Sequence, residues 1–168
     1  MPLFNSSTII NPVYGTNNQA ITITLASLAS AGARASTAID NTTTLFGDAL
    51  IFIILKTGAS GTLSTGFVNI YGYGTADGGS NYPEGITGTD VGITLTSPPN
   101  LILLAQINTV ANATTYKYGV FSFCRMYGLD KLPNKWGIAV SNQSGHALDT
   151  TAGNFSVLYQ GINGLVSL

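Results

Sequence analysis

Short apolar–polar alternations, each broken off by a cluster of glycine, proline or asparagine, confine this chain to β-structure. In "ITITLAS" (21–27) Ile21, Ile23 and Leu25 point one way and Thr22 and Thr24 the other. "GITLTS" (92–97) repeats the pattern, and "FVNIYGY" (67–73) sets Phe67, Asn69, Tyr71 and Tyr73 on one face. "KWGIAVSN" (135–142) aligns Trp136, Ile138 and Val140, and "NFSVLYQ" (154–160) aligns Phe155, Val157 and Tyr159. A period of two marks a half-buried antiparallel strand, because successive side chains leave opposite faces of a sheet. Three further runs, "ALIFIILK" (49–56), "NLILLAQI" (100–107) and "YGVFSFC" (118–124), are apolar almost throughout. Their Ile, Val and Phe content and their Gly, Pro and Asn borders read as strands rather than short helices. About eight strands in a chain of 168 residues predict an all-β fold, an antiparallel two-sheet sandwich of jelly-roll type.

The remaining segments are read around that body. "LASLASAGARASTA" (25–38) is rich in alanine, but Gly32 interrupts it and its apolar face is thin, so it predicts a loop with one short helical turn. Residues 1–19 read as an extended N-terminal arm, with Phe4, Ile9, Ile10, Val13 and Tyr14 as apolar anchors for a partner. Residues 20–168 form a single β-sandwich domain in this reading.

Two strands raise a question of cover. The outer face of an antiparallel sandwich normally meets water and turns polar. "ALIFIILK" and "NLILLAQI" are apolar on both faces, so a loop of the same chain or a neighbouring subunit must shield the outward side. Charge bears on the choice. Lys and Arg number 6 and Asp and Glu 7, so only 8% of residues are charged, against roughly 25% in an average soluble domain. A surface this neutral suits a protein packed among other subunits, and also an exported one; together with the doubly apolar strands it makes a homo-oligomer the expectation. No basic patch is visible, which argues against a nucleic-acid partner. The apolar runs stop far short of the ~20 residues of a membrane helix, so no membrane partner is expected. "MPLFNSSTIINPVYG" lacks the basic start and apolar stretch of a signal peptide, which points to assembly in a cytoplasm.

Motifs that carry chemistry are sparse. "GYGTADGG" (72–79) misplaces the third glycine of a dinucleotide fingerprint, and no helix pattern follows it. Asp77, Glu84 and Asp90 share one loop but lack the alternate spacing of a calcium loop; Asp77 before Gly78 reads as a turn. Ser144, His146 and Asp149 crowd one turn, where a catalytic triad seldom attains its geometry. One histidine and one cysteine fall short of the usual zinc sets. Cys124 lies in an apolar run and reads as a small buried hydrophobe. No cofactor, metal or catalytic residue is therefore assigned. Tyr71, Tyr73, Tyr82, Tyr116, Tyr118 and Trp136 keep a rival open, since aromatic rings stack on sugars. Asn5, Asn41, Asn112, Asn142 and Asn154 begin glycosylation-type triplets, which chance supplies in a chain rich in Asn, Ser and Thr.

Several stretches carry a family likeness: "AGARASTAIDNTTTLFGDALIFIILK" (31–56), "YGYGTADGGSNYPEGITGTDVGITLTSPPNL" (71–101), "LPNKWGIAVSNQSGHALD" (132–149) and "YQGI" (159–162). In these the chain resembles small virion structural proteins of tailed bacteriophages, from about residue 20 onward. The resemblance implies a non-enzymatic capsid cement or decoration protein in the virion. Such proteins are often β-sandwich trimers, here with the major capsid protein as partner. The alternatives are a tail or head–tail component, or a carbohydrate-binding jelly-roll module on the virion.

Overall fold

The alternating runs pair into two antiparallel sheets packed face to face. The computed structural model describes residues 10–60, 66–97 and 99–166. Its strands are β1 (Ile10–Tyr14), β2 (Gln19–Ala20), β3 (Ala33–Ala35), β4 (Ile39–Asp40), β5 (Asp48–Lys56) and β6 (Gly66–Thr75). They continue with β7 (Val91–Ile93), β8 (Ile102–Thr109), β9 (Thr115–Ser122), β10 (Lys135–Gln143) and β11 (Ser156–Val166); a helix, α1 (Phe123–Tyr127), follows β9. The first sheet runs β1-β11-β5-β9 with β2 beside β11, and the second runs β7-β3-β10-β6-β8 with β4 beside β10. With the two-residue strands β2 and β4 and the edge strand β7 set aside, the eight remaining strands lie in chain order 1-8-3-6 and 2-7-4-5. That is the strand order of a jelly roll, the architecture the alternation predicts.

The inner faces follow from the period of two. Ala49, Ile51, Ile53 and Leu55 of β5 are wholly buried. Val157, Tyr159 and Gly161 of β11 sit opposite Ile53, Ile51 and Ala49 in register. They meet Val68 and Ile70 of β6 and Trp136, Ile138 and Val140 of β10 in one core. Trp136 is wedged between Phe123 and Tyr159, with ring centroids 4.8 and 5.4 Å away. Aromatic pairs at such distances add to the area they bury.

The differences from expectation have local causes. "ITITLAS" keeps its burial rhythm, with Ile21 and Leu25 buried and Thr22 and Thr24 exposed, yet forms no strand. Ile21 N–H donates to Val157 of the first sheet, while the Thr22 carbonyl accepts from Thr37 beside the second. The segment thus crosses between the layers instead of extending either. "YGVFSFC" stops as a strand at Ser122, whose hydroxyl accepts from Arg125 N–H at 3.0 Å and starts α1. That helix ends at Gly128, which takes a left-handed φ of 81°. The alanine-rich segment supplies β3, docked on β10 from Ala33↔Ser141 to Ala35↔Ala139. "GITLTS" pairs only as far as Ile93. Within residues 1–19, β1 lies extended along β11 from Ile10↔Val166 to Tyr14↔Ile162, because the open edge of β11 offers backbone partners. Phe4 and Ile9 lie outside the described residues.

The two doubly apolar runs differ in cover. The outward side of the second sheet is folded over by the segment 76–101. Tyr71, Tyr73, Ala35 and Ala139 form a separate small core there with Ile86, against which Tyr82 and Leu101 pack. On β8, however, Ile102 and Leu103 remain 45% and 47% exposed. Outward on β5, Leu50, Phe52 and Ile54 are only half-buried.

Candidate functional site

Most of the residues singled out for chemistry are engaged structurally; among the described residues the His146 ring nitrogen Nε2 is buried without a hydrogen-bond partner, and Tyr118 is 38% exposed. Asp77 accepts from the backbone N–H groups of Gly79, Ser80 and Asn81 at 3.0–3.2 Å, from the Asn81 side chain at 2.7 Å and from the Thr75 hydroxyl. Those bonds to its ionised form hold its carboxyl far below the usual range. Glu84 accepts from Thr96 Oγ1 at 2.6 Å, from Thr96 N–H at 2.9 Å and from Asn100 N–H. Its carboxyl falls to about 2 for the same reason, the Thr96 hydroxyl acting most strongly. Burial alone would raise the Asp90 carboxyl, but hydrogen bonds from Arg34 and Thr24 outweigh it and the group is lowered. The three acids are therefore spread over three separate networks that pin the 76–101 segment, and among the described residues no cluster of metal-ligating side chains forms.

The Ser144, His146 and Asp149 turn is likewise a structural knot. Ser144 Oγ bonds Asn142 Oδ1 at 2.6 Å and the His146 main-chain carbonyl at 2.9 Å, not an imidazole nitrogen. Asp149 accepts from Thr151 N–H and Asn154 Nδ2, both at 2.8 Å, and lies 3.5 Å from Lys56 Nζ. Cys124 is buried, and burial together with the nearby Asp48 and Asp130 pushes its thiol up to about 12, well away from a reactive thiolate. Of the aromatics, Trp136 and Tyr73 are core, and Tyr82 packs edge-on to Tyr73 at 5.5 Å. The Tyr116 hydroxyl accepts from Val110 and Ala111 N–H at 2.8 and 2.9 Å, holding the turn after β8.

Among the described residues, two surfaces bear on function. The first is the outer face of the β1-β11-β5-β9 sheet. Strand register places Leu50, Phe52 and Ile54 of β5 beside Gln160, Leu158 and Ser156 of β11. Tyr14 joins from β1, 56% exposed, and Val120 from β9, 63% exposed. Leu50, Phe52, Val120 and Leu158 line a shallow depression of about 340 Å³ rimmed by Asn17 and Gln160. Val13, by the same register, pairs with Asn163 and so faces the other way.

The second is a groove of about 550 Å³ on the other sheet, beside the half that the 76–101 segment covers. Its floor is Phe67, Asn69 and Tyr71 of β6 with Ser141 and Gln143 of β10, and Thr94–Ser97 form one wall. Alternation alone puts residues 67, 69 and 71 on one face and 141 and 143 on another. The pairing Asn69↔Ser141 that joins them has no signal in the sequence. Comparison with protein-family models, with curated proteins and with solved structures finds no match to this chain.

Proposed function

We propose that the protein is a non-catalytic structural subunit that assembles with copies of itself through the outer face of the β1-β11-β5-β9 sheet. In this reading it serves as a capsid cement protein of the phage-virion kind its sequence resembles, bound to the major capsid protein and assembled in the host cytoplasm. The observation that carries it is the apolar stripe Tyr14, Leu50, Phe52, Ile54, Val120 and Leu158, facing outward from a sheet. A second copy is the occupant that suits this stripe. A face that bears almost no charge is self-complementary, so two copies meet without like-charge repulsion or desolvation of ions. In a chain with a net charge of -1, long-range repulsion between copies is also negligible.

The experiment is a mass measurement in solution, by sedimentation equilibrium, on the wild type and on Phe52→Asp and Leu158→Asp. The wild type should exceed one copy and both variants should fall to one, with an unchanged far-UV spectrum, because a charge buried at the seam costs several kcal/mol. A wild type that stays a single copy at high concentration would overturn the reading. Counting copies per particle then separates capsid surface, with hundreds, from a tail or head–tail position, with a handful.

A further inference from the structure

The groove on the second sheet offers a chemistry that the assembly reading leaves unused. Register pairs Phe67 with Gln143 and Asn69 with Ser141 across its floor, and sets Asn108 and Gln106 of β8 beside Phe67 and Asn69, outside the lining. Asn69 and Ser141 are each at least nine-tenths buried. They are held in place by their neighbours. Gln106 Nε2 donates to Asn69 Oδ1 at 2.9 Å, Asn69 Nδ2 donates to the Tyr71 hydroxyl at 3.1 Å, and Gln143 Nε2 donates to Ser141 Oγ at 3.0 Å. The Tyr71 and Ser141 oxygens accept in these bonds, so their own protons are not used in them. Among the described residues, the Gln143 side-chain carbonyl also has no donor.

The lining carries no charged side chain. A phosphate, sulfate or carboxylate ligand would call for Arg or Lys forks. A metal ion would call for carboxylates. A purely apolar ligand would strip water from the amides and hydroxyls without replacing their bonds. A neutral polyol meets all the conditions at once. Its hydroxyls both donate and accept, matching a floor that retains donors and acceptors together, and its C–H face can rest on the half-buried Phe67 ring. The volume of about 550 Å³ is that of a small-molecule site. We propose that this groove binds an uncharged saccharide, read by Gln143, Ser141 and Tyr71 over the Phe67 ring.

The test titrates the intact protein calorimetrically with lactose, maltotriose, cellotriose and chitotriose, with sialyllactose and a heparin disaccharide as charged controls. At least one neutral sugar should bind saturably and more tightly than either control. Gln143→Ala, which trims an exposed side chain, and Tyr71→Phe, which removes one hydroxyl, should each weaken it about tenfold, the loss of one ligand hydrogen bond. No saturable binding by any neutral sugar, preference for a charged control, or binding indifferent to both substitutions would each overturn the proposal. Phe52→Asp should bind as the wild type does, so this proposal and the assembly reading fail separately.

Discussion

Gly137 shows how tightly single residues are specified on the covered side of the second sheet. A β-carbon built there would overlap the Tyr73 hydroxyl and come within 2.7 Å of Ser36 Oγ. Tyr73 cannot withdraw, because it is wholly buried and donates to the Ser36 carbonyl at 2.7 Å. Gly137→Ala should therefore cost about 1–3 kcal/mol, the usual cost of overpacking a closed site, read as a lowered urea midpoint with an unchanged slope. Tyr73→Phe, which keeps the ring and leaves a buried carbonyl short of a partner, should cost about 1 kcal/mol in the same measurement. If Gly137→Ala melts like the wild type, the contact between Gly137 and Tyr73 is looser than the geometry implies. Sequence places Gly137 inside an alternating strand but gives no hint of what crosses it. The reason for glycine there is a tyrosine sixty-four positions away, brought opposite by the register Gly137↔Tyr73.

Among the elements, the 76–101 segment carries the clearest dependence on pH. Glu84 ties its two limbs together through Thr96 and Asn100, and its carboxyl drops from 4.5 to about 2 in the fold. A depressed carboxyl supports the fold fully above its unfolded value and gives that support up as pH falls toward the folded one. The clamp should thus hold at pH 5 and release progressively between about 4.5 and about 2. Hydrogen exchange should report faster exchange of the Thr96 and Asn100 amides over that window while β10 amides stay protected, and Glu84→Gln should give the same loss at neutral pH. Uniform protection of Thr96 and Asn100 down to pH 3 would mean that Glu84 does not close the segment. Elements with alternating residue types, such as β10 and β11, were legible because one set of side chains in each, Trp136, Ile138 and Val140 or Val157 and Tyr159, faces the shared core. The helix after Ser122 was not, since its apolar residues continue those of β9 and only the cap and Gly128 mark the switch. "ITITLAS" shows that alternation reports burial, not pairing. A chain crossing between two layers can alternate as a strand does while bonding to each layer once.

For the whole molecule, the proposed assembly turns on what would hold copies together. Scarce charge and doubly apolar strands were visible in the sequence, but which face stays open was not, because that depends on where the 76–101 segment folds. It covers one sheet, while among the described residues the stripe around Phe52 stays only half-buried. A seam built from that stripe is hydrophobic, and its response to conditions follows. Screening at 1 M salt shortens the reach of charge to about 3 Å and weakens ion pairs, but leaves apolar burial intact, and sulfate strengthens it. Cooling weakens apolar burial because its driving force near room temperature is largely entropic. Sedimentation of the wild type should therefore show association unchanged by sodium chloride, tightened by sodium sulfate and loosened between 25 and 4 °C. It should also show a negative heat-capacity change of association, the marker of buried apolar area. Dissociation by sodium chloride would place ion pairs at the seam. The few charged side chains, among them Lys117 at the β9 border of the stripe, would then have to be the contacts, and the outer face of the first sheet would be free for another role.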